Sequence, residues 1–454
     1  MSEAVARRVA IAATIAIGAA LAPLAALTSL RERPDLTILC LVLAGIPAAV
    51  LLFLRERTRG IGAAVLVAGL LARGLLLVPD DAMSDDVWRY RFEARVLLSG
   101  ANPWRHAANA DALAPLRDRE VWPRVAHAEI PCVYPPLAVL TCAAIEAAAP
   151  STRAFRVAFL LADLAVVWLL VRLARATGRD PALAAVWWLA PLTWIEIAGG
   201  GHFEPIAIAL ALAAFLAQER GRPIAAGVWL AAAVLVKPLA FVVLPCVVRR
   251  DTAWRTVVAA VGLVALAWTP VVASAGTDAL LSFAARWSAN APVFPALLEL
   301  ANVVKDRLEQ VALAGAYTHE TNLRIFALDP ERLARLASIG LCALICTLVV
   351  TRRIDRYAKA AAMLAFALVF SPVVQPWYLL WCVAFVALSW SIGTFVWTFT
   401  VVLAYHALIA FDWWGIAIEE PLLRAAQFLP VFALWIATAL RRPRAPPVPP
   451  VPTA

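Results

Sequence analysis

Charge is scarce in this sequence. Asp, Glu, Lys and Arg supply 16% of its 454 residues and hydrophobic residues 63%. Lysine occurs at three positions only, Lys237, Lys305 and Lys359. A soluble domain has no use for so much apolar material, and several runs reach the ~17–25 residues that cross a bilayer. The chain reads as a polytopic membrane protein. No alternating apolar–polar pattern is present, which excludes a barrel. No segment is repeated, which disfavours a transporter built from internal repeats. The seven cysteines are an odd number and lie mostly inside apolar runs. They read as small buried hydrophobes rather than a disulfide framework or a metal knuckle. The formal net charge is +9, yet the basic residues sit in short loops between apolar runs: RERTRG (55–60), RLARATGRD (172–180), RRDTAWR (249–255), TRRIDRYAK (351–359) and RRPR (441–444). That is the bias that sets membrane orientation. No basic stripe with interleaved aromatics is present, so nucleic acid is not an expected partner.

What is present is a long series of Ala- and Leu-rich runs, near 9–29, 36–54, 61–78, 134–149, 155–173, 182–197, 203–217, 223–248, 256–275, 334–350, 359–371, 377–390, 391–411 and 422–440. They predict an all-α bundle of about 12–14 membrane helices, counting re-entrant and half helices. Residues 9–29 are too long for a secretion-signal core and are followed closely by another span, so a retained first helix is expected. Residues 1–440 form a single membrane domain. Two polar stretches interrupt it, a first outer loop within 79–154 and a second over 276–333, and the Pro-rich tail 441–454 is expected to be disordered. With Arg7 and Arg8 inside, two adjustments make every Arg-rich loop cytoplasmic. The run 134–149, opened by Tyr134-Pro135-Pro136, re-enters instead of crossing, and 223–248 breaks into two half helices at Pro238. Both polar loops, GGGHFEP (199–205), Lys237 and SPVVQPW (371–377) then gather on the extracytoplasmic side.

The stretch SDDVWRYRFEARVLLSGANPW (84–104) follows the third run. Ser84 or Asp85 suits a helix N-cap, and Trp88, Phe92 and Val96 recur at helical spacing. The expected helix lies along the membrane surface with those apolar residues down. Asp86, Arg89 or Tyr90, and Glu93 then share the other face, Arg89 and Glu93 being spaced for an ion pair. An aspartate in a first helical turn also complements the helix dipole. For Asp85 the capping role is the simpler one; for Asp86, at the mouth of a span, a functional carboxylate is expected.

These residues, followed by IPCVYPPLA (130–138), resemble the first outer loop of GT-C-type membrane glycosyltransferases. The likeness is to the polyprenol-phosphate-mannose-dependent group, glycosyltransferase family 87 and its relatives. The pattern D-x-Y-R-Y-x-W-D-G, G-x-N-P-Y, Y-P-P-L is met by Asp86, Arg89, Tyr90, Glu93, Gly100, Asn102, Pro103, Trp104, Tyr134, Pro135, Pro136 and Leu137. GGGHFEP (199–205), FAARWSANAPVF (283–294) and SPVVQPWYLLW (371–381) follow in order. Trp88 stands where tyrosine is common, Glu93-Ala94 replaces Asp-Gly, and Phe203 precedes Glu204 where the group has Asn. The carboxylates are kept.

The resemblance implies an inverting transferase that moves a sugar, mannose or a related pentose or hexose, from a polyprenyl-phosphate donor to a glycan or glycolipid acceptor. Its active site would face outside the cytoplasm in the plasma or inner membrane. It also implies that an outer-loop aspartate is the general base: Asp86, or Asp85 as the alternate. Lys237, inside an apolar run where charge is costly, either reaches to an interface or meets the leaving phosphate. Arg89 and Arg91 are further phosphate candidates, since guanidinium matches phosphate bidentately. His202 and Glu204 sit at a helix junction; they either cap it or orient the acceptor, as Glu93, Asn102 and Tyr134 could. Trp377 and Tyr378 read as an interface belt or as a wall of the sugar site, and Trp287 and Asn290 as loop packing or substrate contacts. No cofactor is required; a divalent cation such as Mg or Mn between Asp86 and Glu204 is compatible with oxygen ligands. Two other classes remain: a transporter or flippase for a lipid-linked glycan, and a structural subunit of an envelope assembly.

Overall fold

The computed structural model describes residues 2–55, 59–275, 287–314, 318–414 and 420–440. The tail 441–454 and residues 283–286 of the FAARWSANAPVF segment lie outside them. Among the described residues the regular structure is helical, with two isolated β-bridges and no sheet. Among the described residues six helices are long and apolar enough to cross a membrane, or seven if one bent pair forms a single span, and six shorter apolar helices accompany them. The protein is an integral membrane protein with an all-α bundle.

The first three helices, α1 (Glu3–Leu21), α2 (Pro34–Arg55) and α3 (Gly62–Leu77), pack together. Next comes α4 (Asp86–Leu98), and then α5 (Pro136–Ala148), α6 (Thr152–Ala176) and the bent pair Pro181–Trp188 and Pro191–Gly199, whose halves meet at 61°. At 13 residues, α5 rises only about 20 Å, short of a ~30 Å hydrocarbon core. Beyond it, α9 (Glu204–Glu219) is followed by α10 (Pro223–Val236), which ends where Lys237 turns extended before Pro238. Proline has no amide hydrogen for the ladder, so the chain restarts as a 3-10 turn. The long helix α12 (Ala253–Ala275) then returns along α10. The second polar stretch is more ordered than a loop: Phe294–Leu313 and His319–Phe326 are helices, the former packed on Pro330–Thr351 through Phe294, Ala301 and Ala334.

The expectation for α4 is corrected. It does not lie on the surface with one face to lipid: Val87 through Ala94, and Val96, are all buried. Trp88 receives the Arg124 guanidinium on its face, Phe92 meets Trp122, and Tyr90 packs against Tyr134, Phe159 and Phe203. The protein, not the bilayer, covers the helix. Polar groups buried this way need partners. Arg91 pairs with Glu146 on α5 at 3.0 Å and with Glu120 at 2.6 Å, and it donates to the Pro150 carbonyl. Arg95 joins Glu146 at 2.7 Å and also pairs with Asp118. The Asp118 carboxylate accepts backbone amides from Glu120, Val121 and Trp122. Partial burial pushes its pKa up, but the Val121 and Trp122 amides and the Arg95 guanidinium outweigh that and draw it down to about 2.

Two predictions follow from this packing. A β-carbon on Gly227 of α10 would overlap the Thr256 carbonyl oxygen and sit 2.7 Å from Ala259 Cβ on α12. Small residues let membrane helices approach this closely, so Gly227→Ala should lower the melting temperature in detergent, with a cost of about 1–3 kcal/mol. The second concerns acid. Because the folded value of Asp118 lies below that of the free side chain, ~3.9, its contribution is complete above about pH 4 and is lost as pH falls toward 2. Asp118→Asn should therefore lower stability at neutral pH and flatten the acid slope of melting temperature relative to wild type; superimposable slopes would refute the assignment.

Candidate active site

Four local features bring the distant polar residues together. Ser84 Oγ accepts the Asp86 amide at 3.2 Å and so starts α4; Asp85 stands at the cap position, but its side chain makes no capping bond. Met83 N donates to the Gly199 carbonyl at 2.8 Å, tying the start of α4 to the glycine turn 199–201. In that turn Gly201 has φ +70, a conformation glycine adopts without strain. Arg156 on α6, fully buried, donates to the carbonyls of Leu76, Pro79 and Ala198 and so clamps the turn to the end of α3.

At the resulting junction Asp86 is the accessible acid, its side chain 27% exposed. Its Oδ2 lies 3.7 Å from His202 Nε2 and accepts from the Tyr90 hydroxyl at 3.4 Å. His202 stacks on Trp377 with ring centroids 4.0 Å apart. Beyond Phe203, Glu204 is fully buried, with Lys237 Nζ 2.6 Å from its Oε1. The Lys237 ammonium also lies over Tyr378, 4.6 Å from the ring centroid, and 5.4 Å from that of Phe203. Phe203 in turn touches Tyr90 and Tyr134. One rim carboxylate, an imidazole, a lysine paired with a buried glutamate, and five aromatic rings (Tyr90, Tyr134, Phe203, Trp377 and Tyr378) thus share one neighbourhood. A cavity of about 630 Å³ lies elsewhere. Its lining includes Ile61, Leu66, Trp168 and Trp188, and its only carboxylate is Asp180. Chemistry therefore locates the site better than empty volume does.

The other expected residues are placed differently. Asp85 pairs with Arg31. Arg89 is held by Glu93 at 2.8 Å and by the carbonyls of Ala126, His127, Ile130 and Pro131. Arg91 is taken up by the α4–α5 network. Neither guanidinium faces the Asp86 junction as a spare donor, so the expected phosphate contact is not the arrangement found for either. Burial raises the Glu93 carboxyl above the ordinary range despite Arg89, and its Oε2 accepts from the Cys132 thiol. Asn102 makes a turn contact to the Trp104 amide and donates to Ser274 Oγ. The Tyr134 carbonyl accepts from Trp104 Nε1 while its ring lines the cluster. Trp287 packs edge-on against His127, and its carbonyl accepts from Arg335. Asn290 is buried and donates to the Val374 carbonyl, fastening the approach to Trp377. For a metal, Asp86 and Glu204 would have to converge; Glu204 instead holds Lys237, and no group of three or more His, Cys, Asp or Glu side chains among the described residues could hold an ion.

Two residues of the cluster escaped the sequence reading. Glu196 is buried behind His202, 2.9 Å from its Nδ1, and Tyr405 donates its hydroxyl to Glu196. Glu196 carried a signal, a lone carboxylate in the apolar run 182–197. It also falls in a π-helical turn, Trp194–Gly199, a form frequent at functional sites. Tyr405 carried none.

Residues 75–254 match the family model described as "Alpha-(1->6)-mannopyranosyltransferase, N-terminal domain". That segment holds Asp86, Glu196, His202, Glu204 and Lys237; Trp377, Tyr378 and Tyr405 come from outside it. No curated protein matches the chain. The segment bearing the carboxylates is thus similar to a mannopyranosyltransferase domain, and it sits within a polytopic all-α membrane bundle.

Proposed function

We propose that the protein transfers a sugar, mannose or a related pentose or hexose, from a polyprenyl-phosphate donor to a glycan or lipid-linked acceptor. We place the reaction on the extracytoplasmic face of the plasma or inner membrane. The observation that carries the reading is the placing of a rim carboxylate, Asp86, and a partly buried ammonium, Lys237, at one aromatic wall formed by Tyr90 and Phe203. A donor with its tail in the bilayer keeps its phosphate near the headgroups, so base and cation must meet where spans leave the membrane. Asp86 takes the proton of the acceptor hydroxyl. The freed oxygen attacks the anomeric carbon, and the C–O bond to phosphate breaks with its electron pair leaving on polyprenyl phosphate. The outcome is inverting. Lys237 neutralises the leaving phosphate once it turns from Glu204, and Trp377, Tyr378 and Tyr134 give the sugar apolar faces to lie against.

The test is direct. Protein in nanodiscs is given labelled polyprenyl-phosphomannose and a synthetic mannoside acceptor, and polyprenyl phosphate release is followed with acceptor labelling. Asp86→Asn should lower the rate by about 10²–10⁴-fold, the usual worth of a general base, while leaving insertion and melting unchanged. A fully active Asp86→Asn would discard the assignment. Movement of the labelled lipid across the bilayer without bond cleavage would favour a flippase. In the same preparation Lys237→Ala should weaken donor binding more than tenfold with little loss of inserted protein; wild-type donor affinity would remove Lys237 from the site.

A further inference from the structure

Behind Asp86 the chain of ionisable groups continues inward. His202 sits between two carboxylates, with Nε2 3.7 Å from Asp86 Oδ2 and Nδ1 2.9 Å from Glu196 Oε2. Nδ1 also faces the Glu196 carbonyl oxygen at 3.2 Å. The ring is 1% exposed and is held flat on Trp377, interplanar angle 20°. With two acceptors before it, Nδ1 must carry hydrogen, because the second ring nitrogen follows from the bond the first one makes. Nε2 is then the nitrogen free to gain or lose a proton. It is buried, lacks a hydrogen-bond partner among the described residues, and is directed at Asp86. On the far side Tyr405 donates to Glu196 Oε1, so both carboxylate oxygens are engaged and Glu196 is held in place.

Resting on the transfer reaction proposed above, we infer that His202 relays the acceptor proton inward from Asp86, and that Glu196 and Tyr405 are the positioning residues of that relay. The acceptor O–H bond breaks and its proton passes to Asp86 Oδ2 as the new bond to the anomeric carbon forms. The proton then moves from Asp86 to the lone pair of Nε2. The product is an ionised Asp86 and an imidazolium lying between two carboxylates, and the proton later leaves to solvent through Asp86. The relay answers a chemical difficulty. An ordinary carboxylate is a weak base at neutral pH, and a second acceptor directly behind it gives the proton somewhere further to go. The 3.7 Å gap is longer than a hydrogen bond, and such contacts often tighten only when substrate is bound.

The ionisable groups around the ring give the relay a signed test. Facing His202 are Asp86 from α4, Glu196 from the π-helical turn and Glu204 from α9, the last neutralised by Lys237; across Gly201, Arg156 is held by carbonyls. Glu196→Gln keeps a hydrogen-bond acceptor but removes the charge that stabilises imidazolium. Tyr405→Phe does the opposite, leaving the Glu196 charge undiluted. The full-length protein in nanodiscs, with polyprenyl-phosphomannose and a synthetic mannoside, gives the pH–rate profile. Glu196→Gln should lower the maximal rate about 10–100-fold and move the acid limb to lower pH by about one unit. Tyr405→Phe should move that limb to higher pH. A merely structural role would change rate or melting but leave the limb where it is, and limbs at the wild-type pH in both variants overturn the relay. If Glu196→Gln fails to fold, Tyr405→Phe decides alone. An inactive Asp86→Asn with unmoved limbs removes the relay and keeps the base; an active Asp86→Asn, or a wild type that transfers no sugar, removes both.

Discussion

A charge placed inside an apolar helix bundle has to be answered by another group, and that requirement organises this protein. Water is not at hand to solvate it, and an uncompensated buried ion costs several kcal/mol. Each buried ion is met accordingly. Arg73 on α3 meets Asp163 on α6 at 2.6 Å, Arg91 meets Glu146, Arg156 is saturated by carbonyls, and Lys237 meets Glu204. These pairs join elements far apart in sequence, so the few charges the chain has also set how its helices align. Asp163 shows the economy of it: besides Arg73, it accepts from Trp187 Nε1 at 2.6 Å, drawing the bent pair onto α6.

The candidate site is the place where that pairing is left incomplete. Moving outward from Tyr405 through Glu196 and His202 to Asp86, side-chain exposure rises from buried to 27%. Among the described residues Asp86 has only the long contacts to Tyr90 and His202, whereas Asp118 and Glu146 are each fixed by a guanidinium. A carboxylate already saturated by strong donors is a poor proton acceptor, because each donor stabilises its ionised form. On that ground the acids that hold the fold around α4 differ from Asp86, the proposed base, and the difference does not depend on the family likeness.

The sequence made some of this legible. The apolar runs, the break at Pro238, and the helix after Ser84 all follow from local chemistry: helical periodicity, a missing amide hydrogen, a capping hydroxyl. The roles of Arg89 and Arg91 did not follow. Their partners lie at 93, 120, 126–131, 146 and 150, and nothing local shows that a loop will fold over an arginine and offer it four carbonyls. The same holds for Tyr405, which meets Glu196 across 209 residues. The surface placement of α4 failed for a related reason. A helix with apolar and charged faces suits a membrane interface, but it equally suits a protein interior that supplies ion-pair partners. The helix Phe294–Leu313 was legible in principle: Leu297, Leu298 and Ala301 recur at helical spacing within a stretch whose charges made it look like loop.

The Lys237–Glu204 pair sets the last constraint. With Glu204 fully buried and 2.6 Å from the ammonium, the donor phosphate of the proposed reaction would not meet a bare cation; it would compete with a carboxylate already in place. Such a pair keeps a lysine charged inside the bundle without substrate, which an isolated lysine could not achieve at that depth. Exchange of partners is feasible because Lys237 lies at a chain break, with extended backbone between α10 and a 3-10 turn. Tyr378 and Phe203 flank the ammonium, and their ring faces remain favourable to it while it turns. If the phosphate takes the lysine, Glu204 is left as a buried carboxylate without its cation, beside Tyr90 and the sugar. It must then gain a proton or a hydroxyl donor, and a sugar hydroxyl is the donor that arrives with the phosphate. On this reading donor recognition is a partner exchange in which both halves of the lipid-linked sugar are needed, so that a phosphate alone, or a sugar alone, leaves one buried charge unanswered.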